Sequence, residues 1–117
     1  MGQIEQLRKG STSLLILKLL EEKPMYGYQI MQEMESRSEG YFSMTAALLY
    51  PTLHQLENDG LLKSEWTQSE AKRRRKYYAI TENGRKALQE DTALWQEFVH
   101  RLFKTLRKPL PGKEDFS

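Results

Sequence analysis

Five consecutive cations, Lys72-Arg73-Arg74-Arg75-Lys76, stand between two runs whose side chains alternate in character. Before them, Leu62, Ser64 and Trp66 alternate with Leu61, Lys63 and Glu65. After them, Tyr78 and Ile80 alternate with Tyr77 and Ala79. A period of two belongs to a strand with unlike faces. Five like charges cannot enter a core, so they belong at an exposed turn. The stretch is therefore a hairpin with a cationic tip, and the strong local field of that tip suits a polyanion.

The residues before the hairpin complete the pattern. Leu49, Leu53 and Leu56 fall at i, i+4 and i+7, one apolar face of a helix. Thr45 is its N-cap candidate, and Gly60 after Asn58-Asp59 can take the left-handed conformation that closes it. With the leucines inward, Ala47, Pro51, His54 and Asn58 face outward, flanked by Leu48, Tyr50 and Gln55. A preceding helix is expected from about Tyr26 to Ser38, with Ile30, Met31 and Met34 inward and Glu39-Gly40 as its break. Two short helices joined by a Gly-containing turn make a helix-turn-helix. The second helix carries hydroxyl, imidazole, amide and methyl groups but no cation. Thr45, Leu48, Tyr50, Pro51, His54 and Gln55 are accordingly the candidates for reading base edges. Lys72, Arg73, Arg74, Arg75 and Lys76, with Tyr77 beside them, are the candidates for holding phosphates. The partner this implies is double-stranded DNA. Tyr78 and Ile80 are assigned to the core and Trp66 to a structural role capping the first strand.

Upstream, Ile4 to Arg8 reads as a short helical arm or a disordered lead. Ser11-Thr12-Ser13 offers N-caps for a helix through Leu14, Leu15, Leu17, Leu19 and Leu20, ending near Glu22 before Pro24. So much apolar surface on a short helix calls for burial on more than one side.

Downstream, Thr81 caps a helix with Glu82 in its first turn, and no breaker occurs before Pro109. Along it Leu88, Trp95, Val99, Leu102 and Leu106 lie within about 40° of one line at 100° per residue. Leu94, Phe98 and Phe103 widen the band beyond a narrow coiled-coil seam. A domain this small cannot cover the band alone, so a second copy is expected on Leu88, Trp95, Phe98, Val99, Leu102, Phe103 and Leu106. The competing reading is an intramolecular core helix. The expected fold is α+β and mostly helical: a winged helix-turn-helix over residues 1–81, a dimerisation helix over 82–108 and a flexible tail over 109–117.

Composition bounds the alternatives. The net charge is only +2, so the cationic character is local. There is no cysteine and no apolar run long enough to span a membrane, which fits a cytoplasmic protein. His54 and His100 have no ligand cluster near them, so neither metal nor other cofactor is expected. No Gly-rich phosphate loop, nucleophile elbow or paired carboxylates in an apolar setting point to an enzyme. The remaining rival is a winged-helix module that binds protein rather than DNA.

Three stretches resemble the PadR family of bacterial winged-helix transcriptional regulators. They are Tyr26-Gly27-Tyr28-Gln29-Ile30, Leu49-Tyr50-Pro51 with Leu56-Glu57 and Gly60-Leu61, and Arg74-Arg75-Lys76-Tyr77-Tyr78 with Ile80-Thr81 and Gly84. They occur in the family's order and span about residues 14 to 90. The single short C-terminal helix resembles the compact branch that includes multidrug-responsive repressors. The resemblance implies a homodimer in which the last helix packs on the partner's first helix. It also implies that the helix bearing Tyr50 enters the major groove and that the hairpin touches the flanking backbone. In multidrug-responsive members a tryptophan of each C-terminal helix stacks on planar aromatic effectors, and Trp95 matches it. Leu14, Leu88 and Val99 are the expected companions of Trp95; the bland reading of Trp95 is a core aromatic of the interface. Two positions depart from the family pattern. Leu48 stands where a hydroxyl residue is common, and Ala71-Lys72 where glycine often precedes the wing arginines.

Overall fold

The computed structural model describes residues 2–68 and 73–108. The elements run α1 (Gly2–Glu22), β1 (Met25–Tyr26), α2 (Gly27–Arg37), α3 (Ala46–Asn58), β2 (Leu62–Gln68), β3 (Arg74–Ile80) and α4 (Glu82–Leu106). The mostly helical α+β architecture is the expected one.

Three elements depart from the sequence-based expectation. First, α1 is continuous from Gly2, so Ser11-Thr12-Ser13 is helix interior and not an N-terminus. Local hydroxyl residues signal a cap only where tertiary packing does not continue the helix, and here Thr12 is buried. Second, Met25–Tyr26 forms a short strand, giving an antiparallel sheet in the order β1-β3-β2 rather than two strands alone. Two residues are too few to show a period. Third, α4 ends at Leu106, with Arg107 in the left-handed region at φ 59°.

One core joins every element. Ile16, Leu17, Leu19 and Leu20 of α1 are all buried, on more than one side of the helix as expected. They meet Met25 of β1, Ile30 and Met34 of α2, Leu49, Leu53 and Leu56 of α3, Leu62 of β2, and Tyr78 and Ile80 of β3. Each fully buried leucine or isoleucine contributes about 1.5–3 kcal/mol relative to exposure. Leu88 is the one α4 residue among the buried apolar side chains described. Past it α4 leaves the core. Leu94, Phe98, Leu102 and Leu106 are all exposed, whereas Trp95, Val99 and Phe103 are half-buried.

The termini of α3 are built as their residues dictate. Thr45 Oγ1 accepts from the Leu48 N–H at 3.3 Å. At the other end Gly60 has φ 80°. There the Leu61 N–H donates to the Leu56 carbonyl at 2.9 Å and the Gly60 N–H to the Glu57 carbonyl at 3.0 Å. That pair of bonds is a Schellman closure, which needs a residue free of Cβ strain. Between α1 and α2, Arg37 Nη1 and Nη2 donate to Glu22 at 2.6 and 2.5 Å, and Arg37 Nε donates to Glu33 at 3.0 Å. These bonds hold the Glu22 carboxyl below its ordinary range.

Candidate nucleic-acid interface

The hairpin register fixes which cations share a face. Leu62 pairs with Ile80, Ser64 with Tyr78, Trp66 with Lys76 and Gln68 with Arg74. Directly opposed residues project to one side, so Trp66, Arg74 and Lys76 share the side that packs on α3. Ser64 Oγ donates to Glu57 Oε2 of α3 at 2.6 Å and ties the two elements there. Thr67–Arg75 and Glu65–Tyr77 lie on the opposite side.

Beyond the core, α3 and the hairpin diverge and leave an open groove of about 410 Å3. Tyr50 and His54, one turn apart on α3, form one wall. Trp66, Arg74, Lys76 and the edge of Tyr78 form the other, with Tyr26 and Arg75 closing one end. Its lining is cationic and aromatic. Such a groove suits a nucleic-acid backbone, whose phosphates meet the cations while sugars and bases meet the rings.

Three of the wing cations lie against aromatic rings. The Arg74 guanidinium lies over the Trp66 ring at 5.0 Å, and the Arg75 guanidinium over Tyr26 at 4.4 Å. Lys76 Nζ stands 5.6 Å from the Tyr78 ring centre. Tyr26 in turn meets Tyr77 edge-on at 5.4 Å. Trp66 is 55% exposed and sits within β2, so it is not the structural cap expected from the sequence.

The candidate reading residues divide. Thr45, Pro51, His54 and Gln55 are exposed on α3 or its cap. Leu48 and Tyr50 are each 37% exposed. Leu48 rests in a small hollow with Leu15, Met34, Phe42 and Met44. Gln55 Nε2 donates to Asp59 Oδ1 at 3.0 Å. Tyr50 lies across the first residue of α2: a Cβ built on Gly27 would stand 2.2 Å from the Tyr50 hydroxyl. Arg73, Arg74, Arg75 and Lys76 lie on or beside the wing, whereas Lys72 and Ala71 fall outside the described residues. Tyr77 does not join the groove; with Pro24, Lys63, Ser64, Glu65 and Ala79 it lines a separate hollow on the outer side of the sheet. Sequence reasoning missed Tyr26 in the groove and misplaced Trp66. Both are cross-strand diagonals of arginines, a relation visible only once the register is known.

A second concave region lies on α4, a shallow hollow of about 300 Å3 lined by Leu94, Trp95 and Phe98. Trp95 and Phe98 meet edge-on at 5.8 Å. Of the expected effector residues, Trp95 lines this hollow. Leu14 packs on the core, Leu88 is buried within it, and Val99 is half-buried but not part of the lining. Leu88 is likewise closed to a partner chain, because 4% of its surface is accessible. Among the described residues no cluster of histidine and carboxylate side chains could hold a metal ion. No described helix is long and apolar enough to cross a membrane.

Comparison with known proteins fits this geometry. A family model described as "Transcriptional regulator PadR-like family" matches residues 16–90. The transcriptional regulator Rv3488 of Mycobacterium tuberculosis is 32% identical over 99 residues, covering 85% of this chain and 89% of that protein. The crystal structure of a PadR family regulator from Eggerthella lenta is similar with a TM-score of 0.81 and 33% identity, covering 92% of each chain. A transcriptional regulator from Clostridium thermocellum has a TM-score of 0.79 at 29% identity, covering 85% of this chain and 96% of its own. These relatives are transcriptional regulators rather than enzymes, and the chain described here belongs to the PadR-like family of transcriptional regulators.

Proposed function

We propose that the chain is a sequence-specific, ligand-responsive repressor that acts in the cytoplasm as a homodimer on an inverted-repeat operator. The observation that carries the DNA-reading part is the groove between α3 and the hairpin, with Tyr50 and His54 on one wall and Arg74 and Lys76 on the other. In this reading α3 enters the major groove and presents Thr45, Leu48, Tyr50, Pro51, His54 and Gln55. The wing cations, Lys72 included, bind flanking phosphates. Residues 1–81 are the DNA-binding unit and 82–108 the dimerisation helix.

Dimerisation is supported by the unburied apolar face of α4. Leu94, Phe98, Leu102 and Leu106 are 67%, 55%, 41% and 55% exposed along one helix. Contiguous apolar surface of this kind marks an interaction site. A two-fold dimer sets two α3 helices about 34 Å apart, one turn of the duplex. A planar aromatic effector between the α4 helices, stacked on Trp95, would change that separation. It acts only through a difference in its affinity for the two arrangements.

Replacing Arg73, Arg74 and Arg75 by Ala tests the assignment. Binding should weaken on every sequence, and the dependence of log K on log salt should flatten by about 0.9 for each phosphate that is no longer neutralised. Unchanged binding contradicts the wing assignment and favours a winged-helix module that engages protein.

A further inference from the structure

The wing presents consecutive cations that mutual repulsion and solvent would otherwise leave in many rotamers. Lys and Arg have the largest side-chain entropy to lose on docking. Two of the arginines lie on aromatic rings, by the same device on opposite faces of the sheet. Trp66 pairs directly with Lys76, so Arg74 is its diagonal neighbour across β2 and β3. Tyr26 pairs directly with Tyr77, so Arg75 is its diagonal neighbour across β1 and β3. Diagonal neighbours lie within reach of aromatic and long side chains. In both cases the guanidinium lies over the ring, at 5.0 and 4.4 Å.

We propose that Trp66 and Tyr26 are positioning residues for DNA binding, holding the Arg74 and Arg75 guanidiniums at fixed places on the two faces of the wing. The proposal rests on the DNA-reading groove described above. A guanidinium stacked on a ring keeps its N–H edge free, and that edge makes the two-pronged bond to a phosphate. The rings spend their π faces on the cations and leave the donors outward. Part of the ordering that phosphate binding requires is thus complete in the free protein. Exposure supports this role for Trp66. A tryptophan 55% exposed on a strand contributes little to the core, and its ordered contact is with Arg74. Tyr26 adds a second function: its strand and its edge-on contact with Tyr77 set the wing against the start of α2.

The test is a double-mutant cycle read by fluorescence anisotropy on a fluorescein-labelled, mixed-sequence duplex of about thirty base pairs across a sodium chloride series. Trp66→Ala should weaken binding about two- to five-fold at every salt concentration and keep the wild-type salt slope. Arg74→Ala should weaken binding and lower the slope by about 0.9. The double variant should bind as Arg74→Ala alone, because the ring acts through that arginine. Trp66→Phe, which keeps a π face, should recover most of the loss. Trp66→Leu, which keeps a strand-compatible apolar side chain without one, should not; it serves in place of the alanine variant if that variant loses its β signal. Wild-type affinity in Trp66→Ala or Trp66→Leu overturns the proposal. So does a double variant whose loss is the product of the two single losses, since the indole would then touch DNA by itself. A wild-type chain without salt-dependent binding overturns the groove reading itself, and is recognised before any substitution is made.

Discussion

The Tyr50 hydroxyl of α3 lies over Gly27, the first residue of α2, so closely that no side chain fits between them. This joins two separate sequence stretches, Tyr26-Gly27-Tyr28 and Leu49-Tyr50-Pro51. The glycine is not there for an unusual backbone angle; it makes room for a ring on the proposed reading helix. A methyl at Gly27 would force Tyr50 outward, which its partial exposure permits. Gly27→Ala should therefore change stability by less than about 1 kcal/mol. It should weaken specific DNA binding about five-fold or more, the scale of one directional hydrogen bond to a base edge. Urea unfolding and a binding isotherm on the same preparation check both halves.

The joint between α3, the wing and α4 rests on a second glycine. Gly84 packs under the Leu61 carbonyl, and a Cβ there would stand 2.2 Å from that oxygen. The same turn is tied by Thr81, whose Oγ1 donates to the Gly60 carbonyl at 2.6 Å and accepts from the Gly84 N–H at 3.0 Å. Backbone cannot yield as a side-chain tip can. Gly84→Ala should cost about 2–3 kcal/mol, and Thr81→Ala about 1–2 kcal/mol through removal of the cap. Denaturant midpoints measure both; a neutral Gly84→Ala would show that α4 is not seated as described.

Gly10 predicts the opposite sign. It lies within α1, where glycine is a poor helix former, and a Cβ there would meet the Trp95 ring at 3.8 Å, an ordinary van der Waals separation. Gly10→Ala should raise stability by about 0.5–1 kcal/mol. A lower urea midpoint would contradict the packing of Trp95 on α1.

The sequence made α3 and the hairpin legible because their signals are local: three leucines at helical spacing, Thr45 before them, Gly60 after them, and alternation around a cationic run. What was not legible depends on partners distant in sequence. The strand at Met25–Tyr26 exists because β3 offers it hydrogen bonds. The continuity of α1 through Ser11-Thr12-Ser13 accompanies burial of Thr12 in the assembled fold. Leu88 fits the apolar stripe of α4 by angle, yet the body of the chain covers it and leaves Leu94, Phe98, Leu102 and Leu106 outside. Periodicity defines a face; it does not say where along the helix the core stops. Trp66 departs from expectation for a similar reason, since a residue's place along a strand does not say whether its side chain is covered.

Acid should loosen the α1–α2 junction. The hydrogen bonds from Arg37 hold the Glu22 carboxyl below its ordinary value in the folded chain. A group depressed on folding contributes stability above its unfolded pKa, near 4.5, and loses that contribution as pH falls through the folded value. Arg37→Gln should thus be less stable than wild type at pH 7, and the difference should narrow towards pH 3. Urea midpoints across that range provide the measurement; a constant difference would contradict the pairing.

The apolar face of α4 makes its own prediction. Phe98→Asp with Leu102→Asp should yield a folded monomer, because neither side chain belongs to the chain's own core. Sedimentation equilibrium that still reports a dimer would refute the interface.

The most direct measurement is a salt-titrated gel shift of the wild-type chain on DNA upstream of its own gene, beside a shuffled fragment of equal length. A regulator that reads with α3 and holds with the wing should bind the upstream fragment about 1,000-fold or more tightly than the shuffled one. Both affinities should fall steeply as salt rises. Equal, weak retention of the two fragments would contradict the account.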